Sequence, residues 1–330
     1  MRVNPATQLF PVDFLAALAQ AAAALARAEE RLASFPEPGL LTARIRSAER
    51  EALAWLEGEP YDAQLLTRDY GTGPRAWRQW PYTFVRVFER PLASRTVPDA
   101  DRIARWINGA SAFGPPSPTA SDRLLEIYPD RLGHFERSIA GVAPLPRLVA
   151  GGQIAAAFAF SSPLVRGNTV IGAMLGEQYA LDGSSLSGGG IASIGLYRRH
   201  IPWRRHVALS LAEREEDLFG VGRDPQIQLF WLEALAAGAA FVLQEADTVR
   251  SWLARLDEAC RSVRRNSRLR DICVVAGSYP SLTASQAAAA LGISRQAATA
   301  LLEKACIFGL LRAVNEHSSF RRYKISSSFG

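Results

Sequence analysis

The chain has 330 residues, 48% of them hydrophobic, 21% charged and 9% aromatic, which excludes a largely disordered or fibrous protein and leaves room for roughly two domains. Its three cysteines, Cys260, Cys273 and Cys306, form no Cys-x-x-Cys pair and its four histidines are scattered, so neither a disulfide framework nor a zinc site is expected; a reducing cytoplasm is the natural compartment. The net charge of +6 is unevenly held: from Arg250 onward thirteen Lys/Arg face five Asp/Glu, a net of +8, and everything before carries −2, as when one module meets a polyanion and the rest does not.

In chain order, Leu15, Leu18, Ala22, Leu25, Ala26 and Leu32 recur at helical spacing and predict a helix over 12–34, stopped by Pro36-Glu37-Pro38-Gly39. A second helix is expected over 41–56. Between 58 and 98, Trp77, Trp80, Tyr82, Phe84 and Phe88 read as core aromatics, and Gly114-Pro115-Pro116-Ser117-Pro118 reads as a boundary loop. The uncharged run 148–165 contains two glycines, Gln153 and Pro163, so a buried helix entering a loop suits it better than a membrane span. From Gln226 to Leu256 the chain predicts a long apolar helix running into Arg261, Arg264, Arg265 and Arg268, which would share a narrow arc if that helix continued. Four segments result: an N-terminal helical region at 1–113, a helical core at 114–256, a basic linker helix at 257–270 and a C-terminal module at 271–330.

At the centre, Ser162-Pro163-Leu164-Val165-Arg166-Gly167-Asn168-Thr169-Val170 joins two helical stretches. This junction resembles the signature of the Fic family, His-Pro-Phe-x-Asp/Glu-Gly-Asn-Gly-Arg-x-x-Arg. Pro163, Gly167 and Asn168 match without a gap, and the likeness extends loosely over 145–256. The resemblance implies a helical bundle, and in active members nucleotidyl transfer to a hydroxyl. The departures fall on the chemistry. Ser162 stands where the family has its histidine base, and a hydroxyl cannot take that proton near neutral pH. Arg166 replaces the acidic metal ligand, while Thr169-Val170 and Ala173 replace the phosphate clamps. No catalytic residue, metal or cofactor is therefore expected. Arg166, Gly167, Asn168 and Thr169 remain a candidate anion site at a helix N-terminus, although merely preserving the turn is the preferred reading. Ser47 to Glu51 matches the spacing of the family's inhibitory helix, but Ala52 breaks the pattern, which is short enough to arise by chance.

At the C-terminal end, Thr283 caps a short helix, Gly292 turns the chain and Ser294 caps a second helix. Gly309 then stops that helix before strands over 310–314 and 320–325, with a turn between. The module from Asp271 to Ile325 resembles winged helix-turn-helix DNA-binding domains, with Leu282 to Val314 the telling stretch. That resemblance implies base contacts from Ser294, Arg295, Gln296 and Thr299, and phosphate contacts from Lys304, Arg321, Arg322 and Lys324. The expected fold is mainly α: a Fic-like helical bundle plus a C-terminal winged helix with a small β-hairpin. The expected partners are double-stranded DNA and, because such readers often use two half-sites, a second copy of the chain as a homodimer. No membrane is expected. The competing readings are a divergent nucleotide-binding enzyme using Arg166, Asn168 and Thr169, and a scaffold whose winged helix docks protein.

Overall fold

The computed structural model describes residues 12–58, 99–104, 127–165, 167–187, 190–205, 207, 224–263, 267–314 and 321–326. The expected aromatic core at Trp77 to Phe88, the boundary loop at 114–118 and the turn after Val314 lie outside them. Among the described residues the chain is mainly helical with one small sheet, as the periodicity predicts. In order come α1 (Val12–Ala33), α2 (Pro38–Glu57), α3 (Pro129–Ile139), α4 (Arg147–Ser161), α5 (Asn168–Ala180), α6 (Ile191–Arg198) and α7 (Pro225–Arg261). They are followed by α8 (Leu269–Gly277), β1 (Leu282–Thr283), α9 (Ala284–Leu291), α10 (Arg295–Ile307), β2 (Leu311–Ala313) and β3 (Arg322–Ile325).

Helix α7 is the axis of the molecule. Asp224 caps it by accepting from the Gln226 amide at 2.8 Å, and Pro225 starts it where a missing N–H costs nothing. α1, α6 and α4 pack along it. The α1 stripe is rotated from the expected one: Phe14, Ala21, Leu25, Ala28 and Leu32 are buried, whereas Leu15, Ala22 and Ala26 are exposed. With alanine at 21, 24 and 28 on the inner face, α1 meets α7 closely, and the arrangement is fixed outside the core by Arg31–Asp247, with Arg44 of α2 paired to Glu245.

α4 and α5 form an antiparallel hairpin whose helices nearly touch. A Cβ on Gly151 would lie 2.5 Å from the Gly176 carbonyl oxygen, and a Cβ on Gly176 would strike that of Gly151. α4 is buried on nearly all sides, which accounts for its uncharged sequence. α7 is long and apolar enough to cross a membrane, but 56% of its most apolar stretch is buried inside the protein.

The basic helix expected over 257–270 is not one helix. α7 ends at Arg261 with Ser262 as its cap, and α8 begins at Leu269. Arg268 sits at that new N-terminus, bonded to Asp271 (3.1 Å) and to the Leu291 carbonyl (2.8 Å), so it does not extend an arc from Arg261.

The C-terminal segment folds as expected, with one addition. Thr283 and Gln286 form a reciprocal capping box at α9, Gly292 adopts the left-handed conformation (φ 63°), and the Ser294 hydroxyl accepts from the Ala297 amide at 3.1 Å. The hairpin β2–β3 gains a third strand: β1 pairs antiparallel with β3, giving the order β1-β3-β2. One hydrophobic core runs without a break from Phe14 in α1 to Tyr323 in β3. Trp252 of α7, 1% exposed, donates its indole N–H to the Leu310 carbonyl at 2.9 Å and so ties bundle to sheet.

Candidate functional site

Two places carry candidate chemistry, the α4–α5 junction and the outer face of the C-terminal module. At the junction α4 stops when Ser162 turns left-handed (φ 44°), its hydroxyl donating to the Ala159 carbonyl at 3.0 Å. The Ser162 carbonyl accepts from Arg131 Nη1 (3.2 Å), and that of Pro163 from the Tyr128 amide (2.8 Å). Gly167, at φ 83°, then starts α5 in a conformation that a side chain would strain. Asn168 closes the loop: its Oδ1 accepts from the Leu164 amide (2.9 Å) and its Nδ2 donates to the Leu164 carbonyl (2.8 Å). Both ends of that amide are thus occupied by the turn itself. Arg166 lies outside the described residues, and Thr169 is half-buried.

The first turn of α5 is already faced by an anion from the chain. The Val170 amide donates to Glu57 Oε1, at the end of α2, at 3.4 Å. Glu51 points elsewhere, accepting from the Tyr197 hydroxyl of α6 at 2.8 Å. Val170 and Ala173 are 2% and 0% exposed, so the positions that the motif would give to phosphate clamps are packed core.

Beside this junction, Glu49 of α2 and Glu177 of α5 are both buried, 8% and 3% exposed. The amides of Gly190, Ile191 and Ala192 at the start of α6 point at Glu177, that of Ala192 donating to Oε2 at 2.8 Å. Glu49 presses its methylenes on Gly190. Burial pushes Glu177 up to about 7, against the pull of those amides. Burial, then the neighbouring Glu177, pushes Glu49 up to about 8, against the pull of Arg46 and Arg50.

The C-terminal module is the opposite kind of surface. Ser294, Arg295 and Gln296 are exposed at the capped start of α10, and Thr299 lies one turn on, its hydroxyl donating to the Arg295 carbonyl at 2.9 Å. Spacings of three and four put Gln296, Arg295 and Thr299 on one face. Lys304, nine residues after Arg295, falls about 180° from it round the helix but about 80° from Gln296, two turns further on; its ammonium lies 5.9 Å from the Phe308 ring.

The expected phosphate-contacting residues separate. Arg322 is a correction: it is 7% exposed and its Nη1 donates to Ser281 Oγ at 3.1 Å, because the added strand β1 brings the Ser281 corner beside β3. A guanidinium held there braces the sheet and does not face a phosphate. Arg321 is partly neutralised by Glu303, 3.7 Å away. Lys324 stands directly across from Arg312 in the β2–β3 register, and Arg312 is exposed. Sequence reading missed Arg312, although its place in the 310–314 strand, opposite a lysine across the expected turn, was the available signal. Like charges directly opposite one another repel, and a polyanion relieves the repulsion.

No family model matches the chain, and no curated protein matches it. Among solved structures, a Fic family protein from Desulfovibrio desulfuricans G20 is similar, with a TM-score of 0.48 and 14% identity over 100% of this chain and 98% of that one.

Proposed function

We propose that the chain is a DNA-binding regulator that holds duplex DNA through a winged helix at 271–330 and carries a Fic-like bundle, at 114–256, that performs no catalysis. The observation that carries this reading is the row Arg295, Gln296 and Thr299 on a capped helix N-terminus, with Arg295 and Gln296 exposed and Thr299 half-buried. The module that bears it also sets two cations, Arg312 and Lys324, directly across from each other in its hairpin. In such a module the helix enters the major groove, where Arg295 pairs with guanine and Gln296 with adenine, while Arg312, Lys324 and Arg321 neutralise backbone phosphates. A homodimer on two half-sites belongs to the same proposal.

For the bundle, support for a non-catalytic role comes from the junction. The Ser162 proton is engaged with Ala159, both ends of the Asn168 amide hold the turn, and an internal carboxylate occupies the α5 N-terminus. An incoming phosphate there would have to displace Glu57.

Fluorescence anisotropy on a random-sequence duplex across a salt series tests the reading. Affinity should fall steeply with salt, and neutralising Arg312 and Lys324 should each lower the logarithmic slope by about 0.9. On a site selected from random oligonucleotides, Arg295→Ala should cost about 1–3 kcal/mol and relax preference at one position. Absence of binding at low salt, or a slope and preference untouched by these changes, overturns it.

A further inference from the structure

Between Gly183 and Ala212 the sequence holds no Asp or Glu, and four arginines crowd into its middle: Arg198, Arg199, Arg204 and Arg205. Such a cluster is unexpected in a chain whose residues before Arg250 net −2. All four side chains are exposed, at the turn that ends α6.

The turn is built to hold them in place. The His200 amide donates to the Tyr197 carbonyl and the Ile201 amide to the Leu196 carbonyl, both at 3.0 Å, with His200 left-handed at φ 49°. Ile201 and Trp203 are buried and peg the turn into the core, Trp203 against Trp231 of α7. Two of the arginines are braced without being neutralised: Arg198 lies 4.6 Å over the Phe241 ring, and Arg204 Nη1 donates to the Leu56 carbonyl at 3.0 Å. Among the described residues no carboxylate pairs with any of the four.

We propose that this corner is a second contact for duplex DNA, gripping phosphate backbone beyond the stretch held by the C-terminal module; it rests on that module being a duplex reader. Forked guanidinia suit phosphate oxygens, and a contact to the backbone needs charge and donors alone. A bilayer or a protein partner calls for apolar anchors as well, and in this turn the only exposed apolar side chain is that of Pro202. The spacing also suits a duplex. Trp231, which Trp203 meets, and Trp252, which holds the C-terminal sheet, stand 21 residues apart on α7, about 31 Å along its axis and about 60° round it. One turn of duplex is about 34 Å.

Fluorescence anisotropy of the full chain on a random-sequence duplex of about 30 base pairs, room for two contacts one turn apart, tests it across a salt series. Arg199→Gln and Arg205→Gln should each lower the logarithmic slope by about 0.9, which is about eightfold in affinity at 0.1 M salt. Arg199→Lys keeps the charge and should keep the slope. Both glutamine variants should melt at the temperature of the unaltered chain, because both side chains are exposed. Base preference on a selected site should stay as it is, whereas Arg295→Ala alters it. A slope unchanged in the Arg199→Gln/Arg205→Gln double variant, with Arg312→Ala and Lys324→Ala still lowering it, overturns this contact and leaves the module as the reader. A slope lowered by the double variant but not by Arg312→Ala or Lys324→Ala supports the corner and breaks the reading of the module. Absence of duplex binding at low salt overturns both. Binding to phosphatidylserine vesicles or to polyglutamate that the double variant abolishes, with duplex affinity unchanged, gives the corner a different partner and overturns the proposal.

Discussion

The α4–α5 junction and the outer face of α10 both place polar residues at a helix start, yet they do opposite things with them. At the junction the side chains of the turn answer the chain itself: Ser162 turns to Ala159, Asn168 to Leu164, and the Val170 amide to Glu57. On α10 only the Ser294 cap and the Thr299 hydroxyl turn back to the helix, and Arg295 and Gln296 extend into solvent. A polar helix start is a candidate site only where its side chains are not already answering the backbone beside them, and this cannot be seen in the residue types.

The sharpest way to break the contrast is to attack the closed side. Gly176→Val drives a branched side chain into the Gly151 carbonyl, where neither helix can retreat, and should cost about 3 kcal/mol or more by chemical denaturation. A cost below about 1 kcal/mol would mean that the hairpin is not closed as described.

Arg322 gives the next largest effect and separates the two kinds of cation. Arg322→Met removes a buried guanidinium from Ser281 and should lower stability by about 2 kcal/mol, with the salt dependence of DNA binding unchanged. A changed slope with unaltered stability would return Arg322 to the exposed set.

The buried carboxylates extend the contrast to ionisation. Glu49 and Glu177 hold their protons more tightly folded than unfolded, so the folded state binds more protons between the ordinary carboxylate range and about pH 8. Their contribution is fully present at low pH and is lost as pH rises through about 7 and then about 8. Unfolding free energy followed from pH 5 to pH 8.5 should decline, and Glu49→Gln should flatten that decline, with a gain of about 1 kcal/mol or more at the alkaline end. An unchanged pH profile in the variant would remove Glu49 from the pair.

The smallest effect lies on the open side. Arg312→Ala relieves the repulsion with Lys324 and should raise stability by about 0.3 kcal/mol, measured by thermal melting without DNA, while weakening DNA binding. A loss of stability would mean that Arg312 has an internal partner.

Much of the fold was legible because local signals carried it. The Pro-Gly cluster after α1, Thr283 and Ser294 as caps and Gly292 as the turn each act within a few residues, and those elements fall where expected. What sequence reading lost depends on distant partners. The α1 stripe is rotated because Ala21, Ala24 and Ala28 share the buried face with Leu25 and Leu32, and alanines carry too weak a hydrophobic signal to mark it. Arg322 read as a surface cation because β1, a strand of two residues, leaves no periodic trace. Glu57 meets an amide 113 residues away, and Glu49 on α2 meets Glu177 on α5, so nothing near either carboxylate in sequence marks its role.

Helix α7, at 37 residues about 55 Å long, crosses the bundle and ends beneath the C-terminal sheet, where Trp252 holds Leu310. Cutting the gene near residue 262 would therefore strip the hydrophobic lining from both halves at once. Neither fragment should stay monomeric and soluble by itself, and a movement at one end of this strut has a rigid path to the other.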